Sequence, residues 1–545
     1  MAEVVSPAGI LPHIPDDLTL AQFILDTEHV RKPVRKSGAW IIDDQSGRKI
    51  GFEELRTRTY GLANAMSIRY NILQIMLIIS WLLGRLTDLV LLCLKAAVII
   101  THPDSLTVAL ASAHAAGVPA DRVILFDVEG ADTAQRLTVQ ALVSQGLASA
   151  PNFRERKLAP GEGKTKVAFL NFSSGTTGRP KAVAIPHYAP IANVIQLATH
   201  HKVGEDYAGQ RFKPGDVCCA DIYGLVFNTH FAFFCGMTVV LTVKYNFLEF
   251  LKSITRHRIT HLMLVPPHIV LLCKHPAVKS YDFSHVRYIT SGAAPLSREV
   301  MEQLVHIFPN AALGQSYGQF ISRGYVSTFH PSDTGLTESC TVISTWALDK
   351  RCDLSGGAGQ LLPGIVGRVE KQDGTLADFD EPGELVVKTQ ALALGYANNL
   401  EATKETFVDG WLRTGDEVKM NRKGEIVVLD RLKEMLKVRG FQVAPAELEG
   451  CILDHPDVTD TGELPLAFVV LCPEAIKHVE ENPQAADKIK TSIMKHVADN
   501  KVGYKKLAGG VEFIDVVPKN PSGKLLRRVL RDKAREMRTK PKAKL

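Results

Sequence analysis

Short runs of β-branched and aromatic residues, separated by stretches with apolar residues at helical spacing, limit most strongly what this chain can fold into. VAFLNFS (167–173), MTVVLTV (237–243), THLMLVP (260–266), VRYITSG (286–292), GELVVKT (383–389), GEIVVLD (424–430), LAFVVL (466–471) and VEFIDVV (511–517) read as mostly buried strands. Between them, ANVIQLATH and SREVMEQLVHIF space their apolar residues as helices do. Such alternation implies an α/β fold of layered mixed or parallel sheets covered by helices. No period of roughly 20–50 residues recurs, which excludes a solenoid. At 545 residues the chain has room for several packed units. Charged residues cluster at Asp430-Arg431-Leu432-Lys433 after a strand, and a Lys-rich stretch follows. We therefore expect a large N-terminal unit over 1–432 and a smaller α+β unit over 433–545.

Several function classes drop out. Lys+Arg is 64 against 58 Asp+Glu, a formal charge of +6, too small an excess for a nucleic-acid partner. The 9 cysteines contain no CxxC and read as small buried hydrophobes of a reducing compartment, without a disulfide framework or zinc site. MAEVVSPAGILPHIPDD lacks the basic and apolar regions of a secretory signal. The most apolar stretch, Ile72 to Ile100, is interrupted by Gly84-Arg85, Asp88 and Lys95. A membrane span wants about 20 apolar residues, and a charge at mid-bilayer costs on the order of 3 kcal/mol. We expect buried helix and strand there, and no membrane span.

Four segments carry the residues that phosphate chemistry asks for. Ser173-Ser174-Gly175-Thr176-Thr177-Gly178-Arg179-Pro180-Lys181 follows one strand and precedes another. Its glycines let backbone amides crowd an anion, its hydroxyls donate to the anion's oxygens, and Lys181 supplies a point charge. Arg179-Pro180 sets it apart from the Walker spacing. In Thr414-Gly415-Asp416, a carboxylate on a tight turn can accept both hydroxyls of a ribose; alone, it is also a common turn. The run Asp430 to Gly440 reads alone as a solvated face. Pro518-Lys519-Asn520-Pro521-Ser522-Gly523-Lys524 presents Lys524 on a rigid loop able to reach another unit, although a surface lysine is the plainer interpretation.

In this order and spacing, the four segments resemble the adenylate-forming superfamily of acyl-CoA ligases, in particular its fungal 4-coumarate–CoA ligase-like members. The first is similar to the family's Ser-Gly-Thr-Thr-Gly-x-Pro-Lys loop, with Ala182 where glycine is usual. Ser291-Gly292-Ala293-Ala294-Pro295-Leu296, Gly383-Glu384-Leu385, Gly395-Tyr396 and GFQVAPAELE (440–449) resemble later motifs. The resemblance implies that ATP and a carboxylic acid bind between the large unit and a small mobile one. Ser173, Ser174, Gly175, Thr176, Thr177, Gly178 and Lys181 would hold the phosphates with Mg²⁺, and Ala293, Ala294 and Pro295 would flank the adenine. Asp416 and Arg431 would bind ribose, and Lys437 and Gln442 would serve the adenylation-stage site. Thr337 would lie beside the phosphates and Glu338 on Mg²⁺, with Lys524 touching the developing charge. Lys433 would be the hinge, and Gly440 would leave room for the pantetheine of coenzyme A. Tyr223, Gly224, Val265, His268 and Ser291 would line the acyl pocket.

Four places depart from the family pattern. One supersecondary unit looks missing between Asn71 and Thr101, and the stretch before Ile222 is shortened, with Asp221 where a pocket histidine is expected. Gln319 to Gly335 separates Tyr317-Gly318 from Leu336-Thr337-Glu338, which the family joins in one motif. A strand looks deleted near Asp460-Thr461-Gly462. Each break is abrupt and flanked by near-perfect matches, which fits either divergence or a gene model with skipped and retained segments. Ala543-Lys544-Leu545 resembles the small-basic-Leu ending read by the peroxisomal import receptor. The small or apolar pocket residues suit an aryl, cinnamoyl-like, fatty or polyketide-derived acid. An adenylating enzyme with another acceptor, and an inactive relative that only binds nucleotide, remain open beside the ligase.

Overall fold

The computed structural model describes residues 3–35, 37–71, 77–80, 97–128, 136–173, 181–220, 226–242, 245–292, 296, 298–318, 337–432, 436–438, 441–443, 448, 452, 455, 457–462, 466–500, 506–507, 509–518, 529–530, 533–534 and 537. A nine-stranded sheet forms the centre, in the order Gln360–Leu361, Val342–Thr345, Ala312–Gly318, Tyr288–Ser291, His261–Leu264, Val217–Ala220, Thr238–Leu241, Ala39–Asp43, Lys49–Gly51. From Ala312–Gly318 to Ala39–Asp43 the strands run parallel. Parallel strands are covered on both faces, which is why THLMLVP and VRYITSG carry so little polar alternation. One face packs on helix Tyr188–His200, which is buried nearly all round. The other packs on Phe250, Leu251, Ile254, Ile269, Leu272 and Met301 of three amphipathic helices. The α/β expectation holds.

Two antiparallel sheets flank this layer. Val366–Glu370, Gly383–Lys388, Trp411–Met420 and Ile426–Arg431 pair in succession. Val167–Ser173, Lys181–Pro186 and Gly395–Tyr396 form the second. These two sheets carry most of the candidate site.

In the stretch where a unit looks missing, Leu77–Ser80 pairs in parallel with Val98–Thr101, which pairs with Val123–Leu125. Parallel neighbours need a crossover of about a dozen residues or more. The segment 81–97 has that length, although 81–96 lies outside the described residues. Among the described residues no helix is long and apolar enough to cross a membrane. Helices Phe52–Tyr70 and Val139–Ala148 close on each other here, and a Cβ at Gly146 would lie 1.8 Å from the Gly61 carbonyl oxygen. The buried Asn64 amide donates to the Gly146 carbonyl at 2.8 Å and accepts from Asn152 N–H at 2.7 Å. Gly146→Ala is expected to cost about 1–3 kcal/mol by overpacking. An unchanged urea midpoint would contradict that contact.

Toward the C-terminus, Val458–Gly462 pairs antiparallel with Leu466–Leu471, which pairs in parallel with Gly510–Phe513. Asp460, Thr461 and Gly462, where the sequence departs from the family pattern, thus lie on a paired strand. Helix Ala485–Asn500 covers this sheet through Ile489, Ile493 and Val497. Lys274 Nζ donates to the Val458 carbonyl at 2.9 Å.

Candidate active site

Asp416 sits on the long strand Trp411–Met420, directly opposite Arg431 of the next strand. Its carboxylate is buried; Oδ1 lies 3.2 Å from Arg431 Nε, and Oδ2 accepts from the Tyr317 hydroxyl at 2.6 Å. The turn before it is braced. Thr414 Oγ1 donates to the Leu385 carbonyl at 2.7 Å, and the Gly415 N–H donates to Glu384 Oε1 at 3.1 Å. Those two contacts explain why Gly383-Glu384-Leu385 accompanies Thr414-Gly415-Asp416. Burial, and then the Asp416 carboxylate, hold the Tyr317 phenol well above its ordinary range, so it remains a donor. Each carboxylate oxygen has two lone pairs, so Asp416 can still accept from ligand hydroxyls.

A second polar group lies on the small antiparallel sheet. Lys181 opens the strand Lys181–Pro186 opposite Ser173, and its Nζ lies 4.7 Å from the Tyr396 ring centroid. The Tyr396 hydroxyl donates to Glu338 Oε1 at 2.5 Å. Burial and the Glu338 carboxylate push the Tyr396 phenol far above its usual value. Thr337 and Glu338 form a buried turn whose Glu338 carbonyl accepts from the Ala393 N–H at 2.8 Å. The segment 319–336 lies outside the described residues, but both of its flanks are fixed. Gly318 pairs with Val342, five residues beyond Thr337 in the chain. Gly318 takes φ +118°, and a Cβ there would meet the Thr341 carbonyl oxygen at 2.3 Å, so only glycine lets these strands approach.

Mg²⁺ in nucleotide sites is held by phosphate oxygens, water and one or two carboxylates. Among the described residues no three His, Cys, Asp or Glu side chains gather as a metal cage. Glu338, a single buried carboxylate oriented by Tyr396, fits an ion brought in on phosphate.

Other candidate residues lie at the ends of the central strands. Ser291 pairs with Leu264 and Gln315, so Val265 and Ser291 lie at neighbouring strand ends. The Ser291 hydroxyl is buried without a hydrogen bond among the described residues. Both ends of the Gln315 amide clasp Leu296: Oε1 accepts from its N–H at 2.8 Å, and Nε2 donates to its carbonyl at 3.2 Å. The His268 ring stacks on Tyr245 at 4.2 Å, and burial pushes its pKa down to about 4, leaving a neutral imidazole. Ser173, Lys437 and Gln442 lie on described strands, with Lys437 opposite Gln442. Ser174, Gly175, Thr176, Thr177, Gly178, Tyr223, Gly224, Ala293, Ala294, Pro295, Lys433, Gly440 and Lys524 lie outside the described residues.

Sequence reasoning gave no site role to Tyr317, Tyr396 or Gln315. A tyrosine beside glycine in Tyr317-Gly318 and Gly395-Tyr396 was the available signal.

A family described as AMP-binding enzyme matches residues 87–320. 4-Coumarate-CoA ligase 3 of Arabidopsis thaliana is 35% identical over 391 residues, 68% of this chain and 64% of that protein. Probable 4-coumarate-CoA ligase 2 of Dictyostelium discoideum is 32% identical over 430 residues, 76% of this chain and 72% of its own length. The chain thus spans less than two thirds of the plant relative's length and more of the amoebal one's. The fold is also that of the anthranilate CoA ligase AuaEII in complex with anthranoyl-AMP, with a TM-score of 0.76 and 19% identity over 95% of this chain and 98% of the other. ATP-bound MatB from Rhodopseudomonas palustris gives a TM-score of 0.73 and 21% identity, covering 96% and 99%.

Proposed function

The chain belongs to the AMP-binding, adenylate-forming enzyme family, and on that premise we propose that it activates a carboxylic acid with ATP and transfers the acyl group to coenzyme A. The observation that carries this reading is Asp416, buried and held between Tyr317 and Arg431, with the Lys181–Tyr396–Glu338 contact in the same large unit. One group suits a ribose and the other a polyphosphate.

In the first step a carboxylate oxygen attacks the α-phosphorus; an acyl O–P bond forms, the Pα–O bond to the β-phosphate breaks, and pyrophosphate leaves. Such chemistry runs on positioning and charge stabilisation. Asp416 and Arg431 fix the ribose, Lys181 and the glycine-rich loop hold the leaving phosphates, and Lys524 touches the negative charge that develops around the attacked phosphorus. Thr337 would lie beside the phosphates, and Glu338 would hold a Mg²⁺ that neutralises phosphate charge. In the second step the unit 433–545 turns about Lys433, withdrawing Lys524 and presenting Gly440. The thiol sulfur attacks the acyl carbon, AMP leaves with the bonding electrons, and the thiol proton passes to water. Lys437 and Gln442 belong to the first of these arrangements.

Val265, His268 and Ser291, with Tyr223 and Gly224, suit an aryl, cinnamoyl-like, fatty or polyketide acid. The relatives named 4-coumarate-CoA ligase put hydroxycinnamates first in any panel. Mass spectrometry of reactions with ATP, Mg²⁺, coenzyme A and that panel is expected to find acyl-CoA. Acyl-AMP that accumulates without thioester would move the reading to another acceptor. Ala543-Lys544-Leu545 supports delivery to peroxisomes through the import receptor, and a fluorescent fusion that loses its punctate distribution on deletion of these residues would test it.

A further inference from the structure

Asn171 lies on the strand Val167–Ser173, two residues before Ser173. Its Nδ2 is buried and has no hydrogen-bond partner among the described residues. Cross-strand pairs in an antiparallel sheet share a face. Asn171 pairs with Val183, and Val183 pairs with Tyr396; on the same face, Ser173 pairs with Lys181. The orphaned amide thus shares the face that carries Lys181 and Tyr396, and both long strands lie against the Thr337–Ser339 turn with Glu338. In the other direction along the strand, the Phe169 ring is 6.0 Å from that of His230, in the helical segment Val226–Phe231 that follows Tyr223 and Gly224. Asn171 thus lies between Ser173, which pairs with Lys181, and Phe169, whose ring meets His230.

A buried donor left unpaired is costly, and such groups persist where a ligand completes them. We infer that Asn171 is a ligand-binding residue whose Nδ2 donates a hydrogen bond to an anionic oxygen where the acid's carboxylate meets the nucleotide's phosphate. This rests on the adenylation reading above and adds a contact that the family-like motifs do not contain.

The test compares the full-length chain with Asn171→Leu and Asn171→Asp by melting temperature, with and without ATP, Mg²⁺ and the best acid, and by steady-state pyrophosphate release. Leucine removes the unpaired amide at similar volume, so it should melt at or above wild type without ligand. It should lose at least half of the ligand-induced rise, and about tenfold in kcat/KM for the acid. The isosteric aspartate, which needs no repacking, should lose about 100-fold by facing an anion with an anion. Wild-type ligand stabilisation and turnover in both variants would overturn the inference. A wild-type chain that ATP does not stabilise would instead remove the adenylation reading beneath it.

Discussion

Asp416→Ala is expected to lower kcat/KM for ATP by about 100- to 10,000-fold, the value of two charge-assisted hydrogen bonds at about 1.5–3 kcal/mol each. The same substitution leaves the Tyr317 phenol, buried and donating at 2.6 Å, without its acceptor and removes the counter-charge of Arg431 at 3.2 Å. Stability therefore falls too, and melting temperatures must accompany the kinetics. Tyr317→Phe separates the effects: the Asp416–Arg431 contact stays, and the loss should be about tenfold or less. If Asp416→Ala kept the wild-type KM for ATP and the wild-type turnover, Asp416 would be a structural carboxylate and the nucleotide site would lie elsewhere.

Acid should unfold the chain well before its carboxylates titrate. His200, His201 and His261 are all buried in the core beside Arg211. His200 Nε2 is 3.1 Å from the Trp346 carbonyl, and His261 Nε2 is 2.9 Å from that of Arg211. Burial pushes His200 and His261 down to about 4 from the ordinary 6.5, and His201 well below 6.5. Since these folded values lie below the unfolded one, the unfolded chain binds more protons in acid. The stability they confer is complete above pH 6.5 and is lost as pH falls from 6.5 toward 4. Each of His200 and His261 is worth on the order of 3 kcal/mol across that window, against a typical stability of about 5–15 kcal/mol. Urea midpoints should therefore drop steeply between pH 7 and 5, with cooperative loss of circular dichroism by about pH 4.5. His200→Gln should flatten part of that slope. A midpoint independent of pH over the same range would contradict the buried neutral imidazoles.

The architecture was legible because buried parallel strands have a distinctive composition. THLMLVP and VRYITSG became His261–Leu264 and Tyr288–Ser291, side by side in the central sheet. The apolar stretch from Ile72 was harder, since strand and buried helix share a composition; pairing of Leu77–Ser80 with Val98–Thr101 resolves its two ends. At the site, Thr414-Gly415-Asp416 showed itself as a carboxylate on a glycine turn. Arg431 stood in a charge run that alone suggests a solvated face, and only the register of the strands sets it opposite Asp416. Tyr317 and Asp416 lie 99 residues apart, and Glu338 and Tyr396 lie 58 apart, so no local pattern could have paired them. Asn171 is more hidden still. An unpaired amide becomes visible only when every neighbour of its strand is known.

The most direct measurement is pyrophosphate release by the purified chain with ATP, Mg²⁺ and a panel of carboxylic acids, beside Lys524→Ala. The account predicts release that requires an acid and falls by about 100-fold or more in the variant, as removal of one transition-state contact does. Release independent of any acid, or unchanged in Lys524→Ala, would contradict acid adenylation at this site. No release from folded protein would leave a nucleotide-binding relative without the activity.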